Sequence, residues 1–509
     1  MKNSVLCYLE ETAKKYPNKM AITDGNTSVT FSEWRSKALC IANSIEKKIK
    51  KNGCPILVYL PKGTDTLVSF AAVLYSRNYY TPTDVDFPFH KVKGIIEALH
   101  PEVIISTHAC ADKLLDNEVE SEKMLYIDDI DFNESIEEKN RVDKIIDTDL
   151  AYVFFTSGST GVPKGVAITQ RSIIDYIDWA ADEFNITEEE RIANQAPFYF
   201  DNSILDIYLC MSKGATLFIT PRKVLNFQAK LLEYLQENRI NFIFWVPSAL
   251  IATANSGLLE RFDLSELRKV LFCGEVMPNA QLNIWRKVLP DVQYANLYGP
   301  TEITDVCCYY KVNRDFADEE PLPIGQGCRN TQIILLNDNN EAIEEQGEIG
   351  ELCVRGTSLS VGYYANYEKT KEVFVQNPLN PYYEEKIYRT GDLAHYNQYG
   401  EIMFDGRKDF QIKYKGYRIE LGEIETALIA IKGVNDGCVV YNEVKEEIVA
   451  FYTGKEYVDK KYLRKALMEY LPQYMIPRAC FKLEELLYND NGKIDRKRLK
   501  DVYLNPKGE

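Results

Sequence analysis

The feature that most constrains the fold is an alternation of short apolar runs and helical patterns over residues 1 to about 400. Runs such as ILVYL (Ile56 to Leu60) and ATLFIT (Ala215 to Thr220) are typical of buried strands, and SELRKVL (Ser265 to Leu271) is typical of a helix. Strands that alternate with helices predict an α/β protein. At 509 residues, the chain is long enough for a large core and a smaller second domain.

The pattern changes beyond Gly406. The strand-like run QIKYK is followed by a helix with one apolar face from Leu421 to Ile431, then by two strand-like runs, a helix and a final strand-like run. This order predicts a small α+β domain. We therefore expect a large N-terminal α/β domain at residues 1–408 and a small C-terminal domain at residues 409–509.

Charge and cysteine usage exclude several classes of function. The 60 basic and 76 acidic residues give a net charge of −16, which argues against general binding to nucleic acid or to an anionic membrane. No stretch reaches the roughly 18 uncharged apolar residues of a membrane span, and the N-terminus has no apolar leader core. Twelve cysteines without a CxxC pair and four scattered histidines predict no metal site, and favour reduced thiols in a cytoplasm.

A glycine-rich stretch, TSGSTGVPKGV (Thr156 to Val166), lies between the strand-like runs LAYVFF and VAIT. Its glycines let the backbone approach an anion, and its hydroxyls and Lys164 supply donors and positive charge. Pro163 before Lys164, and a strand rather than a helix behind it, distinguish the stretch from a Walker phosphate loop. Taken alone, it fits a solvated turn as well as a phosphate-binding loop.

Further motifs follow this stretch in a fixed order: FYFDNS from Phe198, CGE from Cys273, NLYGPTE from Asn296, YRTGDLA from Tyr388, GRKDFQIKYKGYRIELGEIE from Gly406 and NGKIDR from Asn491. The series resembles the adenylate-forming superfamily, from VTFSEW at Val29 to the end of the chain. It resembles most closely the amino-acid-activating adenylation domains of nonribosomal peptide synthetases and the D-alanyl carrier protein ligases.

The resemblance implies a ligase with two reactions in one site. A carboxylate attacks the α-phosphate of ATP to give an acyl-AMP and pyrophosphate, and a phosphopantetheine thiol then displaces AMP. ATP and Mg²⁺ are the implied cofactors, and an amino acid and a carrier protein are the implied partners. The implied architecture is a large α/β domain with a small, mobile C-terminal domain.

The resemblance also implies which residues bind ATP. Tyr298 is expected to stack on adenine, Asp392 to hold the ribose hydroxyls, Thr301 to contact the α-phosphate and Glu302 to help hold Mg²⁺. An aromatic face suits a base, and a carboxylate suits a hard cation. The full expected set is Thr156, Ser157, Gly158, Ser159, Thr160, Gly161, Lys164, Gly274, Glu275, Asn296, Tyr298, Gly299, Thr301, Asp392 and Arg407.

The resemblance implies a catalytic role for Lys493 and a hinge role for Asp409, both in the C-terminal domain. Lys493 in NGKIDR is expected to bridge the substrate carboxylate and the α-phosphate as negative charge develops, with Thr301 and Glu302 completing the catalytic set. Asp409 matches the hinge about which the small domain would rotate between the two reactions. Each is an ordinary turn residue when taken singly.

The resemblance makes Asp201 the partner of a substrate α-ammonium, a feature missing from most fatty-acyl and aryl relatives, so an amino acid is expected. The implied pocket lining is Asn202, Leu205, Leu271, Cys273, Leu297, Asp305 and Val306, with the choice between Phe244 and Trp245 left open. Asp305 stands where an apolar residue is expected. It either faces a polar or cationic substrate side chain or is satisfied by neighbouring donors.

The leading hypothesis is an amino-acid-activating enzyme that loads a separate carrier protein, because no LGGDS-like carrier motif follows NGKIDR. The basic cluster Arg496, Lys497, Arg498 and Lys500 is either a solvated helix face or a docking surface for an acidic carrier. An acyl-CoA ligase shares every ATP motif and is the nearest alternative. An inactive scaffold is disfavoured, because the motif residues expected to act on ATP are all present.

Overall fold

The computed structural model describes residues 2–133, 141–156, 163–443, 445–454, 458–487 and 494–503. These residues form two compact units. The first unit consists of Met1–Val85, Leu99–Phe154 and Gly165–Lys408. The second consists of Asp86–Ala98, Phe155–Lys164 and Asp409–Glu509.

Within the described residues the strands form five sheets, and most of these strands are short. The strands are β1 (Met20–Thr23), β2 (Ser28–Thr30), β3 (Pro55–Tyr59), β4 (Tyr79–Thr83), β5 (Val103–Ser106), β6 (Met124–Tyr126), β7 (Leu150–Thr156), β8 (Lys164–Thr169), β9 (Arg191–Asn194), β10 (Thr216–Ile219), β11 (Phe242–Trp245), β12 (Lys269–Cys273), β13 (Gln293–Tyr298), β14 (Cys308–Lys311), β15 (Gln326–Gly327), β16 (Thr331–Leu336), β17 (Gly350–Gly356), β18 (Gly362–Tyr363), β19 (Phe374–Gln376), β20 (Lys386–Tyr396), β21 (Ile402–Arg407), β22 (Gln411–Tyr414), β23 (Tyr417–Glu420), β24 (Asp436–Asn442), β25 (Glu447–Thr453) and β26 (Ala479–Leu483).

Helices connect most of the parallel strands. They are α1 (Leu6–Lys15), α2 (Phe31–Lys48), α3 (Thr64–Tyr75), α4 (Phe89–Leu99), α5 (His108–Leu115), α6 (Gln170–Glu183), α7 (Asn202–Lys213), α8 (Arg222–Leu225), α9 (Gln228–Glu237), α10 (Pro247–Asn255), α11 (Asn279–Val288), α12 (Tyr367–Val373), α13 (Leu421–Ile429), α14 (Lys460–Tyr470) and α15 (Arg496–Tyr503). No helix in the described ranges is long and apolar enough to cross a bilayer.

The first unit contains three sheets. The largest has the strand order β15-β14-β13-β12-β11-β9-β10-β1-β2, and its six strands from β13 to β1 run parallel. The second has the order β18-β8-β7-β4-β3-β5-β6, and the third, antiparallel sheet has the order β16-β17-β20-β19 with β21 paired to β20. Parallel sheets need helical crossovers, which explains the alternation in the sequence.

Two cores flank the nine-stranded sheet. On one face, residues of α2, α3, α6 and α7 share a buried cluster with residues of both the nine- and the seven-stranded sheets. On the other face, α9, α10 and α11 cover the sheet around Trp245 and Trp285. With helices on both faces, its central strands are buried and read as continuous apolar runs.

One sequence prediction is wrong. The segment SELRKVL was expected to be helical, but Lys269–Cys273 forms the central strand β12, and Ser265 lies in the turn before it. Leu264 and Leu267 are three residues apart, as on one face of a helix, but they flank a turn, and both side chains pack into the core. The run KVLFC is rich in β-branched and aromatic residues, which favours a strand.

The second unit has an α+β core of its own. Strands β24, β25 and β26 form one sheet, β22 and β23 form a hairpin, and α13 and α14 pack on them around Leu428 and Leu463. The predicted small α+β fold of the C-terminal stretch is therefore confirmed. In α15, Arg496 binds Glu425 at 2.7 Å and Lys500 binds Glu443 at 2.6 Å, so the basic cluster is partly engaged within this unit.

Candidate active site

The predicted site residues of the first unit cluster at one edge of the nine-stranded sheet. Strand β9 leads to the loop that ends at Asp201, β12 leads to Gly274, and β13 leads to Gly299. These three strands are parallel, and their carboxyl ends meet at the same edge of the sheet. In open α/β sheets, ligands bind in the crevice outside the carboxyl ends of the strands.

Asp201 is fixed by the start of α7. It is the N-cap residue of this helix, and its carboxylate accepts a hydrogen bond from the backbone N–H of Asn202 at 3.1 Å. Only 9% of its surface is exposed. The helix N-terminus carries partial positive charge, which favours a carboxylate at this position.

The apolar pocket residues meet in one buried cluster. Strand pairing places Cys273 beside Leu297, and Leu271 lies two residues before Cys273 on the same face of β12. Leu205 from α7 and Val306 from the loop after β13 belong to the same cluster, and all five side chains are at most 2% exposed. Residues from four separate segments therefore form one apolar wall.

The choice between Phe244 and Trp245 is decided by strand pairing. Phe244 pairs with Leu271, so the two side chains share a face, and Phe244 joins the same cluster. Trp245 pairs with Phe272, belongs to the core on the opposite face, and donates a hydrogen bond to the carbonyl of Ala193. Only Phe244 lies among the predicted pocket residues.

Asp305 is buried in the same region, with 1% of its surface exposed. Its Oδ2 accepts a hydrogen bond from the hydroxyl of Tyr176 at 2.8 Å, whereas its Oδ1 has no hydrogen-bond partner. Burial, and then the charge of Asp201, raise the pKa of Asp305 well above its usual range. Asp305 follows Thr304 in a turn where both have positive φ, +72° and +60° respectively.

Two buried charged residues near the site, Asp206 and Lys62, were not predicted from the sequence. Asp206 lies on α7, fully buried, and accepts a hydrogen bond from Nδ2 of Asn194 at 2.9 Å. The ammonium of Lys62 lies 3.2 Å and 3.1 Å from the carbonyls of Asn194 and Gln195. Loss of hydration raises the pKa of Asp206 to about 8 and lowers the pKa of Lys62 to about 7. Asp206 and Lys62 thus bind residues 194 and 195, at the start of the segment that leads to Asp201.

Three of the predicted nucleotide residues are in direct contact. The hydroxyl of Tyr298 donates to Oδ2 of Asp392, and Arg407 donates to Oδ1 of the same carboxylate at 2.5 Å. Asp392 is 1% exposed, and its backbone N–H donates to the hydroxyl of Thr390. Burial and the charge of Asp392 raise the pKa of Tyr298, so the phenol remains a proton donor. An aromatic ring, a carboxylate and a guanidinium thus form one rigid group.

Glu302 lies in a short 3-10 helix, Thr301–Ile303, that follows Gly299 and Pro300 at the end of β13. Its carboxylate accepts a hydrogen bond from the hydroxyl of Tyr363 at 2.8 Å and is 1% exposed. Within the described part of the chain, no cluster of three or more acidic, His or Cys side chains could hold a metal. A single buried carboxylate such as Glu302 is a donor that suits Mg²⁺, which uses one or two carboxylates and takes its other ligands from phosphates and water.

The remaining predicted residues of this edge contact the scaffold. Glu275 accepts a hydrogen bond from the backbone N–H of Ser248 at 2.9 Å, and Asn296 donates to the carbonyl of Pro323 at 2.8 Å. Gly274 has φ of +103°, a conformation that favours glycine. These contacts fix the loops that follow β12 and β13.

Gly299 is required by close packing, which leads to a prediction. A Cβ at this position would overlap the carbonyl oxygen of Asp305 and lie 2.6 Å from Cδ1 of Ile303. The backbone of the turn would have to move, so Gly299→Ala is expected to lower the stability by about 1 to 3 kcal/mol, as overpacking typically does. Thermal denaturation would show this as a lower Tm.

A second glycine provides the matched control. Gly94 lies inside α4, and a Cβ there would meet its nearest neighbours, atoms of Pro163, at an ordinary 3.5 Å. Alanine favours a helix over glycine by up to about 1 kcal/mol, so Gly94→Ala should leave the Tm unchanged or raise it. Equal Tm values for Gly299→Ala and the native protein would contradict the packing argument.

The glycine-rich stretch is described only at its ends. Its flanking strands β7 and β8 are confirmed, and Thr156 and Lys164 end and begin them. Ser157, Gly158, Ser159, Thr160 and Gly161 lie outside the described residues, as does Lys493. In the second unit, the ammonium of Lys164 lies 3.6 Å from the carboxylate of Glu420, in the hairpin of β22 and β23.

Comparison with known proteins adds independent findings. The family model for "AMP-binding enzyme" matches residues 9–364. The D-alanine--D-alanyl carrier protein ligase of Bacillus licheniformis is 32% identical over 508 residues, which cover 97% of this chain and 99% of the ligase. Tyrocidine synthase 1 of Brevibacillus parabrevis is 30% identical over 498 residues, but the match covers only 44% of that protein and 97% of this chain.

A solved structure extends the comparison to the fold. The holo form of PA1221, an NRPS protein containing adenylation and PCP domains, has a TM-score of 0.84 and 23% sequence identity. The match covers 98% of this chain and 84% of that one. The predicted architecture, with its large α/β part and smaller C-terminal part, is confirmed by this likeness.

Proposed function

Since the chain belongs to the AMP-binding enzyme family, we propose that it activates an amino acid as aminoacyl-AMP and transfers it to the phosphopantetheine thiol of a separate carrier protein. The observation that carries the amino-acid assignment is Asp201. This carboxylate lies at the start of α7, next to the apolar cluster and at the carboxyl edge of the parallel sheet. A carboxylate at this position can accept charge-assisted hydrogen bonds from a substrate ammonium.

In the first reaction, an oxygen of the substrate carboxylate attacks the α-phosphorus of ATP, and the bond to pyrophosphate breaks. Asp201 holds the α-ammonium and so fixes the direction from which the carboxylate approaches. Asp392 accepts from the ribose hydroxyls, and Tyr298 supports the adenine. Lys493 stabilises the negative charge that develops between carboxylate and phosphate. Positioning and charge stabilisation together carry such a phosphoryl-transfer step.

Mg²⁺ shields the phosphate charges when it is bound, and Glu302 is the residue that would hold it. Thr301, one position earlier in the same 3-10 helix, contacts the α-phosphate. The hydrogen bond from Tyr363 to Oε1 fixes the orientation of the Glu302 carboxylate, as expected for a carboxylate that would bind a metal ion. Tyr363 is therefore part of the proposed site, although no motif pointed to it.

In the second reaction, the carrier thiol attacks the acyl carbon, AMP leaves and the thiol proton is released. Carrier proteins of this kind are usually acidic. Of the basic cluster on α15, Lys497 and Arg498 are exposed, and these two are the residues we assign to carrier docking. We place the reaction in a cytoplasm, and the free state of all twelve cysteines fits a reducing compartment.

The test is exchange of labelled pyrophosphate into ATP with purified protein and a panel of acids. The panel contains both alanine enantiomers, polar and basic amino acids, and carboxylic acids of matched size without an α-amine. Exchange that depends on one or a few amino acids is the expected result. Exchange with the amine-free acids alone would reject the role of Asp201 and support an acyl-CoA ligase.

Asp409 is proposed as the hinge between the two reactions, which gives a prediction. Its carboxylate accepts a hydrogen bond from the backbone N–H of Gln411 at 3.1 Å. Proline at this position fixes φ, so Asp409→Pro should leave pyrophosphate exchange near its native rate and slow carrier loading by about tenfold or more. Asp409→Asn keeps both the acceptor and the backbone freedom and serves as the control. Equal loss of both activities in Asp409→Pro would contradict a separate hinge role.

A further inference from the structure

The buried cluster of predicted pocket residues includes a second acidic residue, Asp305, that the proposed chemistry does not use. Asp305 is as deeply buried as the apolar side chains around it, and its Oδ1 makes no hydrogen bond. The described residues include no ion pair to this carboxyl; its one hydrogen bond comes from the phenol of Tyr176. Ionising a buried carboxyl that lacks a counter-charge costs on the order of several kcal/mol of free energy. This cost explains why burial raises the pKa of Asp305.

A second buried polar group without a partner in the described part of the chain belongs to Tyr152. The hydroxyl of Tyr152 is fully buried and has no hydrogen-bond partner. Burial raises the pKa of Tyr152, and the charges of Asp201 and Asp305 raise it further, in that order. The hydroxyl is therefore within electrostatic range of both carboxyls. Buried polar groups in native proteins are almost always satisfied, so the Oδ1 of Asp305 and the hydroxyl of Tyr152, both without a partner among the described residues, indicate a missing ligand.

The described residues of the surrounding wall do not supply this partner. Leu205, Leu271, Leu297 and Val306 have no polar side-chain atoms, and the thiol of Cys273 is only a weak donor. The amide Nδ2 of Asn202 makes no hydrogen bond of its own, to Asp305 or to any other described residue. An amino acid with an apolar side chain, such as alanine, would leave Asp305 as it is. A substrate with a second ammonium would place one cation against each carboxyl and remove the cost of burying the second one.

We propose that the substrate is an amino acid with a side-chain amine, whose α-ammonium pairs with Asp201 and whose second ammonium pairs with Asp305. The phenol of Tyr176 orients the carboxyl at this second position, and the buried hydroxyl of Tyr152, which has no hydrogen-bond partner in the described ranges, is within electrostatic range of it. The inference rests on the proposed function, because Asp201 must first bind the α-amine.

The experiment measures kcat/KM for pyrophosphate exchange with diamino acids and with their isosteres. Ornithine, diaminobutyrate and lysine are compared with norvaline, both alanine enantiomers and serine. We expect the best diamino acid to exceed norvaline by on the order of 30-fold or more, the effect of leaving a buried charge unpaired. Norvaline matches the carbon chain of ornithine and lacks only the amine.

Asp305→Asn keeps the size of the side chain and tolerates the positive φ of this position. The variant should lose most of the preference for the diamino acid over norvaline, measured as the ratio of the two kcat/KM values. Asp291→Asn, at an exposed position in the turn before β13, should keep the native preference. The ratio of the two substrates reports recognition, because a merely structural change would lower both rates together.

The outcomes separate this inference from the proposed function. A native preference for alanine or serine, or a diamino-acid preference that Asp305→Asn leaves intact, overturns the inference and leaves amino-acid activation standing. Exchange with amine-free acids alone overturns both. A diamino-acid preference that is lost in Asp305→Asn supports both.

Discussion

Replacing Asp201 with Asn is expected to reduce amino-acid-dependent pyrophosphate exchange by about 30-fold or more. The substrate ammonium would then enter a region from which water is excluded, without the carboxylate that compensates its charge. Breaking one partner of a buried charge pair costs roughly 2 to 5 kcal/mol, and each 1.4 kcal/mol is a factor of about ten. The measurement is kcat/KM for the amino acid, with ATP saturating.

The matched control lies on the same helix. Asp206 is also a buried aspartate of α7, and burial raises its pKa to about 8. Asn matches Asp in size, and its side-chain oxygen can still accept the hydrogen bond from Asn194, so Asp206→Asn should keep most of the native exchange. Equal losses in Asp201→Asn and Asp206→Asn would show that α7 is merely sensitive to substitution, and would remove the assigned role of Asp201.

Lys493→Ala is expected to lower adenylate formation by about 100- to 1,000-fold, the usual effect of removing one preorganised group that stabilises a developing negative charge. Lys493 belongs to the motif NGKIDR, and its role comes from the family. Two negative groups, the carboxylate and the α-phosphate, must approach each other in this step. A single cation between them lowers the repulsion most where the charges are closest.

Two controls separate this role from folding. Lys482→Ala removes an exposed lysine from β26 and should leave the exchange rate unchanged. Aminoacyl-AMP supplied ready-made should still be transferred to the carrier by Lys493→Ala, because that reaction starts after the adenylate has formed. An exchange rate near that of the native protein, or equal loss in both half-reactions, would contradict a specific role in adenylation.

The sequence was most informative where function depends on local motifs. The strands that flank the glycine-rich stretch were predicted from short apolar runs, and the fold class was predicted from the alternation of patterns. The contact between Tyr298 and Asp392 joins residues 94 positions apart, and motif resemblance was needed to bring them together. The helix expected at SELRKVL shows the limit, since leucines in a turn imitated the helical period.

Other parts of the site could not be found from sequence. Lys62, Asp206, Tyr176 and Tyr363 stand in no motif, and each matters because of what it contacts after folding. Burial and hydration, which set the pKa values of Lys62 and Asp206, are properties of the packed chain. The choice of Phe244 over Trp245 likewise depended on strand register, which a four-residue apolar run does not reveal.

The turn at Thr304 and Asp305 has a consequence for how this enzyme can evolve. Asp, Asn and Gly adopt positive φ readily, whereas Val and Ile at φ of +72° cost about 1 to 3 kcal/mol. Substitution of Asp305 by Asn or Gly would change the pocket at little cost in backbone strain. A step to a branched apolar residue would first need the turn itself to be rebuilt, so backbone shape and substrate choice are expected to have changed together.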